Sequence, residues 1–173
     1  MGVEKKYPAH PDLTSGGQTA LHGHAGGGGE AEVVVVKVGD TANATTTLAD
    51  AAGLSFTALA NKTYLIEGLV RYATSVTTVG IKLSANGPAS PAFIAGLWDV
   101  NAAQGTPDGG AFNAYNVAVA ASAAPFTSDN LARLHCVFRN GPNQGTFVVS
   151  FAAETTGTVT VKDGSVLRYR QVD

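Results

Sequence analysis

The sequence holds a single cysteine, a single methionine and a single tryptophan in 173 residues, and only 14% of those residues are charged. Each shortage excludes something. One cysteine, Cys136, cannot close an internal disulfide and supplies no cysteine-based metal motif. Its place in an apolar, alternating run marks it as a buried and inert thiol. No run reaches the ~18 apolar residues of a membrane helix. The opening "MGVEKKYPAHPD" has no apolar signal-peptide core. The expectation is therefore no membrane partner and assembly in a cytoplasm. The 11 basic and 13 acidic residues are spread along the chain for a net charge of −2. No basic patch interleaves with aromatics, so nucleic acid is not an expected partner. Asn43-Ala-Thr45 and Asn61-Lys-Thr63 match glycosylation sequons, read as chance matches where a secretory signal is missing.

The low charge is itself informative, because soluble domains usually carry roughly 25% charged residues and monomers use that charge to stay apart. Two readings fit. Much of the surface is covered by other protein, as in an obligate oligomer or an assembly, or the chain is a secreted Thr-rich β-domain with a polar, uncharged surface.

What is present divides the chain in two. Residues 1–30 are polar and rich in Gly and Pro, with no sustained periodicity. They read as an extended N-terminal arm ending in the flexible run Gly26–Gly29. Residues 31–173 alternate with the period of a strand. "TYLIEGLVRY" sets Tyr64, Ile66, Val70 and Tyr72 against Glu67 and Arg71. "VGIKLSA" points Val79, Ile81 and Leu83 inward, with Lys82 and Ser84 outward. "ARLHCVFRN" sets Leu134, Cys136 and Phe138 against Arg133, His135 and Arg139. "GTFVVSFAAE" aligns Phe147, Val149 and Phe151. The final "GTVTVKDGSVLRYRQV" is expected to turn at Asp163-Gly164. Further turns are expected at Asn86-Gly87-Pro88, Asn140-Gly141-Pro142 and Thr156-Gly157. "SDNLARL" (128–134) offers at most one helical turn behind Ser128, and "NAAQGTPDGGAFN" (101–113) reads as a long loop. The fold class is all-β: an antiparallel sandwich carrying an extended N-terminal arm.

Catalytic chemistry is hard to place on this chain, and it is read as a non-enzyme without a cofactor. His135 is next to Cys136 on a strand, so the two point to opposite faces and form no Cys–His dyad. Asp40, Asp50, Asp99, Asp108 and Asp163 are placed in or near turns, where Asp commonly bonds its own backbone, and no calcium-loop spacing links them. "GGGG" precedes a strand, so it lacks the helix N-terminus of a phosphate cradle. His22-Gly-His24 is the one metal-like spacing. Around a three-fold axis such pairs would offer six nitrogens, but no nearby carboxylates support them, and the pair is read as part of the arm.

The β-segment resembles a domain of tailed-phage virion proteins. The resemblance is carried by "TTTLADAAGLSFTALANKTYLIEGLVRYATSVTTVGIKLSANGP" and by "GTVTVKDGSVLRYRQV", and spans residues 32–172. It is the pattern of phage head decoration (cement) proteins and related fibre or tail proteins. It implies a jelly-roll-like β-sandwich that forms a homotrimer on the outer capsid surface of the virion, with the major capsid protein as partner and the arm as docking element. The arm's own residues agree, with Tyr7, Pro8, Pro11 and Leu13 as anchors on a proline-stiffened segment. The alternative is a receptor- or carbohydrate-binding module of a tail fibre or tail tip, with Trp98 and the 101–113 segment as its adhesive surface.

Overall fold

The computed structural model describes residues 30–173. Tyr7, Pro8, Pro11, Leu13, His22 and His24 lie outside the described residues, as does all but the last residue of the arm. Twelve strands follow: β1 (Val33–Val36), β2 (Thr41–Asn43), β3 (Ala49–Ala58), β4 (Thr63–Thr74), β5 (Ile81–Asn86), β6 (Phe93–Ala103), β7 (Thr106–Phe112), β8 (Val119–Ala120), β9 (Asn130–Arg139), β10 (Gly145–Ala153), β11 (Val159–Val161) and β12 (Val166–Gln171). There is no helix among the described residues.

The pairing of β3 to β10 shows why they form a sandwich. First pairs with last (β3·β10), second with seventh (β4·β9), third with sixth (β5·β8) and fourth with fifth (β6·β7), all antiparallel. Such pairing is one long ribbon folded over on itself. Joining β10 to β5 and β9 to β6 rolls the ribbon into two sheets, β3-β10-β5-β8 and β4-β9-β6-β7. This is jelly-roll order. The second sheet is widened beyond β4 by β12 and β1.

Between the sheets lie the residues that the alternation put inside: Tyr64, Ile66, Val70 and Tyr72 from β4; Leu134, Cys136 and Phe138 from β9; Leu83 from β5; Phe147, Val149 and Phe151 from β10. The aromatics concentrate at the end where the described chain starts. Phe56 stacks on Tyr169 at 3.9 Å between centroids and on Phe147 at 5.3 Å, and Phe147 meets Phe138 at 5.4 Å. These rings belong to both sheets and join them at that end.

Three local expectations are corrected and one is sharpened. The chain does turn at Asp163-Gly164, but along one edge, because β11 and β12 run one after the other beside β4. From Val161 (opposite Tyr72) to Val166 (opposite Leu69), the strand spends two residues more than its partner. The excess is thrown out at Gly164, whose φ of +75° suits glycine. Ser165 fixes this kink, its hydroxyl accepting from the Arg71 amide (3.0 Å) and donating to the Lys162 carbonyl (2.8 Å). Residues 101–113 are not a loop but the greater part of the β6–β7 hairpin, turned at Gln104-Gly105. Residues 128–134 make no helical turn. The Asn130 side chain bonds both polar groups of the Phe126 backbone (2.7 and 3.0 Å), which shapes a loop and starts β9. Ser84 does lie opposite the core-facing side chains, yet it is buried, and its hydroxyl donates to the Val117 carbonyl at 3.0 Å.

Candidate interaction surface

The outward side chains of the larger sheet alternate with its core residues, and their identity is unusual. On β4 they are Leu65, Glu67, Leu69 and Arg71; on β9, Leu131, Arg133, His135, Val137 and Arg139; on β6, Phe93, Ala95, Leu97 and Asp99, all exposed. Arg168 and Arg170 extend the face across β12, and Val34 and Val36 across β1. Residues directly opposite in register form continuous rows. One reads Val34, Arg168, Glu67, His135, Leu97, Ala111 from strand to strand. The next reads Val36, Val166, Leu69, Arg133, Asp99, Gly109. Shallow, open depressions between these rows are the surface relief of the face.

Two properties stand out. Large apolar side chains are left in water: Leu69 is 40% exposed, Leu97 41%, Leu131 43% and Phe93 45%. With Leu65, Val137, Val34 and Val36 they expose on the order of 600 Å² in total, interspersed with the charged side chains of the same rows. Second, all five arginines of the chain are on this face, whereas of the described lysines Lys37 is buried and Lys82 belongs to the smaller sheet. Arginine is enriched and lysine depleted where proteins meet proteins, because the planar guanidinium is weakly hydrated and bonds as a fork.

The arginines do not make a bare cationic patch. Arg168 lies opposite Glu67 and Arg133 opposite Asp99 in register. The Arg71 guanidinium bonds Asp129 at 2.7 Å. Arg170 shares a depression with Glu30 and Glu32. Arg139 helps hold the Asp173 carboxyl below its usual range, a shift caused first by the hydrogen bonds Asp173 accepts from the Thr63 amide and hydroxyl. Charge is balanced locally, which suits opposite-sign neighbours across strands.

The residues singled out for chemistry are now placed. His135 and Cys136 do point to opposite faces: His135 is outside, and Cys136 is in the core, its thiol pushed up to about 12 by burial. Trp98 is completely buried on the inner side of β6, so the adhesive role considered for it is overturned. The register explains this, because Trp98 follows the outward Leu97 by one residue and shares the inward direction of Leu134 opposite. Asp40 and Asp163 do serve turns, and Asp108 bonds its own backbone: Asp40 accepts from the Asp163 amide, Asp163 from that of Gly39, and Asp108 from that of Gly109 (2.8–2.9 Å). Asp50, Asp99 and Asp108 itself lie within strands, Asp108 four residues from Gln104 in the hairpin's second half, and Asp50 accepts from the Ser150 hydroxyl. Among the described residues no three His, Cys, Asp or Glu side chains are grouped to hold a metal.

The Leu- and Arg-rich face is the candidate surface that the alternation alone does not announce. Its signal was available as Leu65, Leu69, Leu97, Leu131 and Val137 at outward positions of otherwise well-alternating strands.

No family model matches the chain, and no curated protein does. Among solved structures, 83% of the chain aligns with a chain of the infectious bursal disease virus Gx strain, at 14% identity and a TM-score of 0.23. For the Gt strain of that virus, 82% of the chain aligns at 13% identity and a TM-score of 0.19. The alignments cover 36% and 38% of those viral chains, so this chain spans little more than a third of their length.

Proposed function

We propose that this protein is a virion structural protein, a decoration (cement) protein that binds the outer head surface of a tailed phage as a homotrimer and stabilises it. The observation that carries the reading is the Leu- and Arg-rich sheet face, a surface suited to protein contact. The resemblance over residues 32–172 gives that contact its setting, the virion. In this reading the protein acts without catalysis or cofactor, and the jelly roll supplies a rigid body for a trimer. The 1–30 segment supplies the capsid anchor, with Tyr7 and Leu13 as its apolar contacts and Pro8 and Pro11 lowering the entropy cost of ordering. Each of those apolar side chains is worth about 1.5–3 kcal/mol on burial before ordering costs. Three arms on one trimer make modest contacts add.

The test is co-sedimentation of the full chain with undecorated capsids. Tyr7→Ala with Leu13→Ala is expected to lose attachment, whereas His22→Ala with His24→Ala keeps it. The opposite result would move the anchor to the histidines and revive a metal on the trimer axis. Light scattering that returned a monomer at micromolar concentration would remove the trimer.

A further inference from the structure

The proposed trimer leaves open which surface the copies share, and the molecule carries several exposed apolar groups. Val76 and Phe126 lie together at the end of the sandwich far from Glu30, where the Thr74 hydroxyl and amide bond the carbonyls of Phe126 and Thr127. That patch amounts to two side chains on loops. Leu59 and Val172 are at the opposite end, beside the start of β4. Among the exposed apolar groups of the described residues, those on the outer face of β1-β12-β4-β9-β6-β7 form a broad surface on paired strands.

We infer that this face is the contact between copies of the chain in the trimer, so that Leu65, Leu69, Leu97, Leu131 and Val137 are buried against a neighbouring copy. The inference rests on the trimer of the proposed function and names its interface. Size is the first argument. Six strands at about 4.8 Å spacing and some eight to ten residues of length at about 3.4 Å each give a face on the order of 800 Å². Around a three-fold axis each copy shares such a face between two neighbours, and three copies bury on the order of 2,400 Å² in all, within the range of obligate assemblies.

Charge is the second argument. Every arginine of the face has a carboxylate beside it or opposite it in register, so the face neither repels a copy of itself nor invites a polyanion. A nucleic-acid or anion site would leave the arginines uncompensated. The in-register alternation of Arg168, Glu67 and His135 also gives a neighbouring copy both donors and an acceptor to meet.

The third argument is the place where the described chain begins. Glu30, Ala31 and Glu32 border the same face, in one depression with Leu65, Glu67 and Arg168. Copies packed on this face would therefore start their 29 preceding residues beside one another, on the axis side of the assembly. That places the three proposed arms within reach of one capsid locus.

The experiment measures the mass of the full-length protein by light scattering and native mass spectrometry across a dilution series. Leu69→Glu with Leu97→Glu is expected to give a monomer at concentrations where the parent is a trimer. A dissociation midpoint raised at least a hundred-fold, with unchanged far-ultraviolet circular dichroism, would meet that expectation. Val76→Glu with Phe126→Glu is expected to leave the mass unaltered. Should the double leucine variant fail to fold, Arg133→Glu is the second probe, expected to raise the midpoint at least ten-fold. Folded face variants that remain trimeric would overturn the inference while leaving the trimer standing. If those trimers no longer sediment with capsids, the face belongs to the capsid contact instead. A monomeric parent would overturn the trimer itself, and the inference with it.

Discussion

The two sheets of this jelly roll share a core but differ in what they show to water. Outward positions of the larger sheet carry Leu65, Leu69, Leu131, Val137 and Leu97, all at least 38% exposed. Outward positions of the smaller sheet carry Ser55, Thr57, Ser84, Ser150 and Ala152, and the last three are buried. There the chain provides the partners itself: Ser150 donates to Asp50, Ser84 donates to the Val117 carbonyl, and the Ala153 amide bonds the Thr45 carbonyl. One outer face is finished within the chain. The other is finished only if something else covers it, because leaving large aliphatic groups in water forfeits the hydrophobic gain of burying them. The comparison also relocates an expectation. The "FVVSF" stretch of β10, with large residues on both sides, suggests contact with other copies. Val148, however, is buried by its own chain, and the uncovered leucines are on the other sheet.

The largest effect is expected inside, where both sheets depend on the same packing. Trp98→Ala removes the largest fully buried side chain and should cost about 3–5 kcal/mol of stability in urea titrations. A loss under ~1 kcal/mol, within the range of surface substitutions, would mean that Trp98 spends time outside the core and would reopen its adhesive role.

Next is the finished face. Ala152→Leu inserts three carbons at a position with no exposed surface and should destabilise the protein by about 1–3 kcal/mol through overpacking. The matching change on the other face, Leu69→Ser, should leave the stability of the dissociated chain within about 0.5 kcal/mol, its effect appearing in subunit association. Equal losses at the two positions would erase the distinction between the faces.

Much of this was legible in the sequence, and the reasons are local. The strands of β4, β9 and β10 announce themselves because inward residues recur with period two, and that period survives every neighbour they acquire. The jelly-roll order depends on which strands pair across as many as a hundred residues, as Ser150 does with Asp50. Pairing partners are a tertiary choice, which the resemblance supplied and the alternation did not. The stretches that depart from the alternation do so for identifiable reasons. "TPDGGAF" carries Pro and two glycines, so β7 has no strand propensity of its own and forms on the edge of β6. Asp163-Gly164 turns the chain as its composition suggests, but the two strands it joins continue along one partner. The interaction face was hidden for a different reason. An outward leucine is unremarkable alone, and only the register aligns four of them and Val137 with all five arginines.

The smallest effect concerns how the edge of the bare sheet is held. Asp40, after β1, bonds the Lys162 ammonium and accepts from the Asp163 amide, tying the edge strand to the kink between β11 and β12. The Lys162 hydrogen bond, followed by the Asp163 amide, holds the Asp40 carboxyl below its ordinary value of 3.8. A carboxyl whose folded pKa is lowered adds stability that is fully present above the unfolded pKa and disappears as pH falls through the folded one. Asp40→Asn should therefore lower the melting temperature slightly at pH 7, by no more than a few degrees, as expected of an exposed pair. The gap from the parent should narrow below about pH 4 and close once Asp40 is protonated in both states. Added salt should shrink the same gap at pH 7, because the pair is open to solvent. Neither change should alter the dissociation midpoint of the proposed trimer, since Asp40 is beside the bare face and not on it. A midpoint that moved with pH in step with Asp40 would extend the subunit contact past β1 to the sheet's edge.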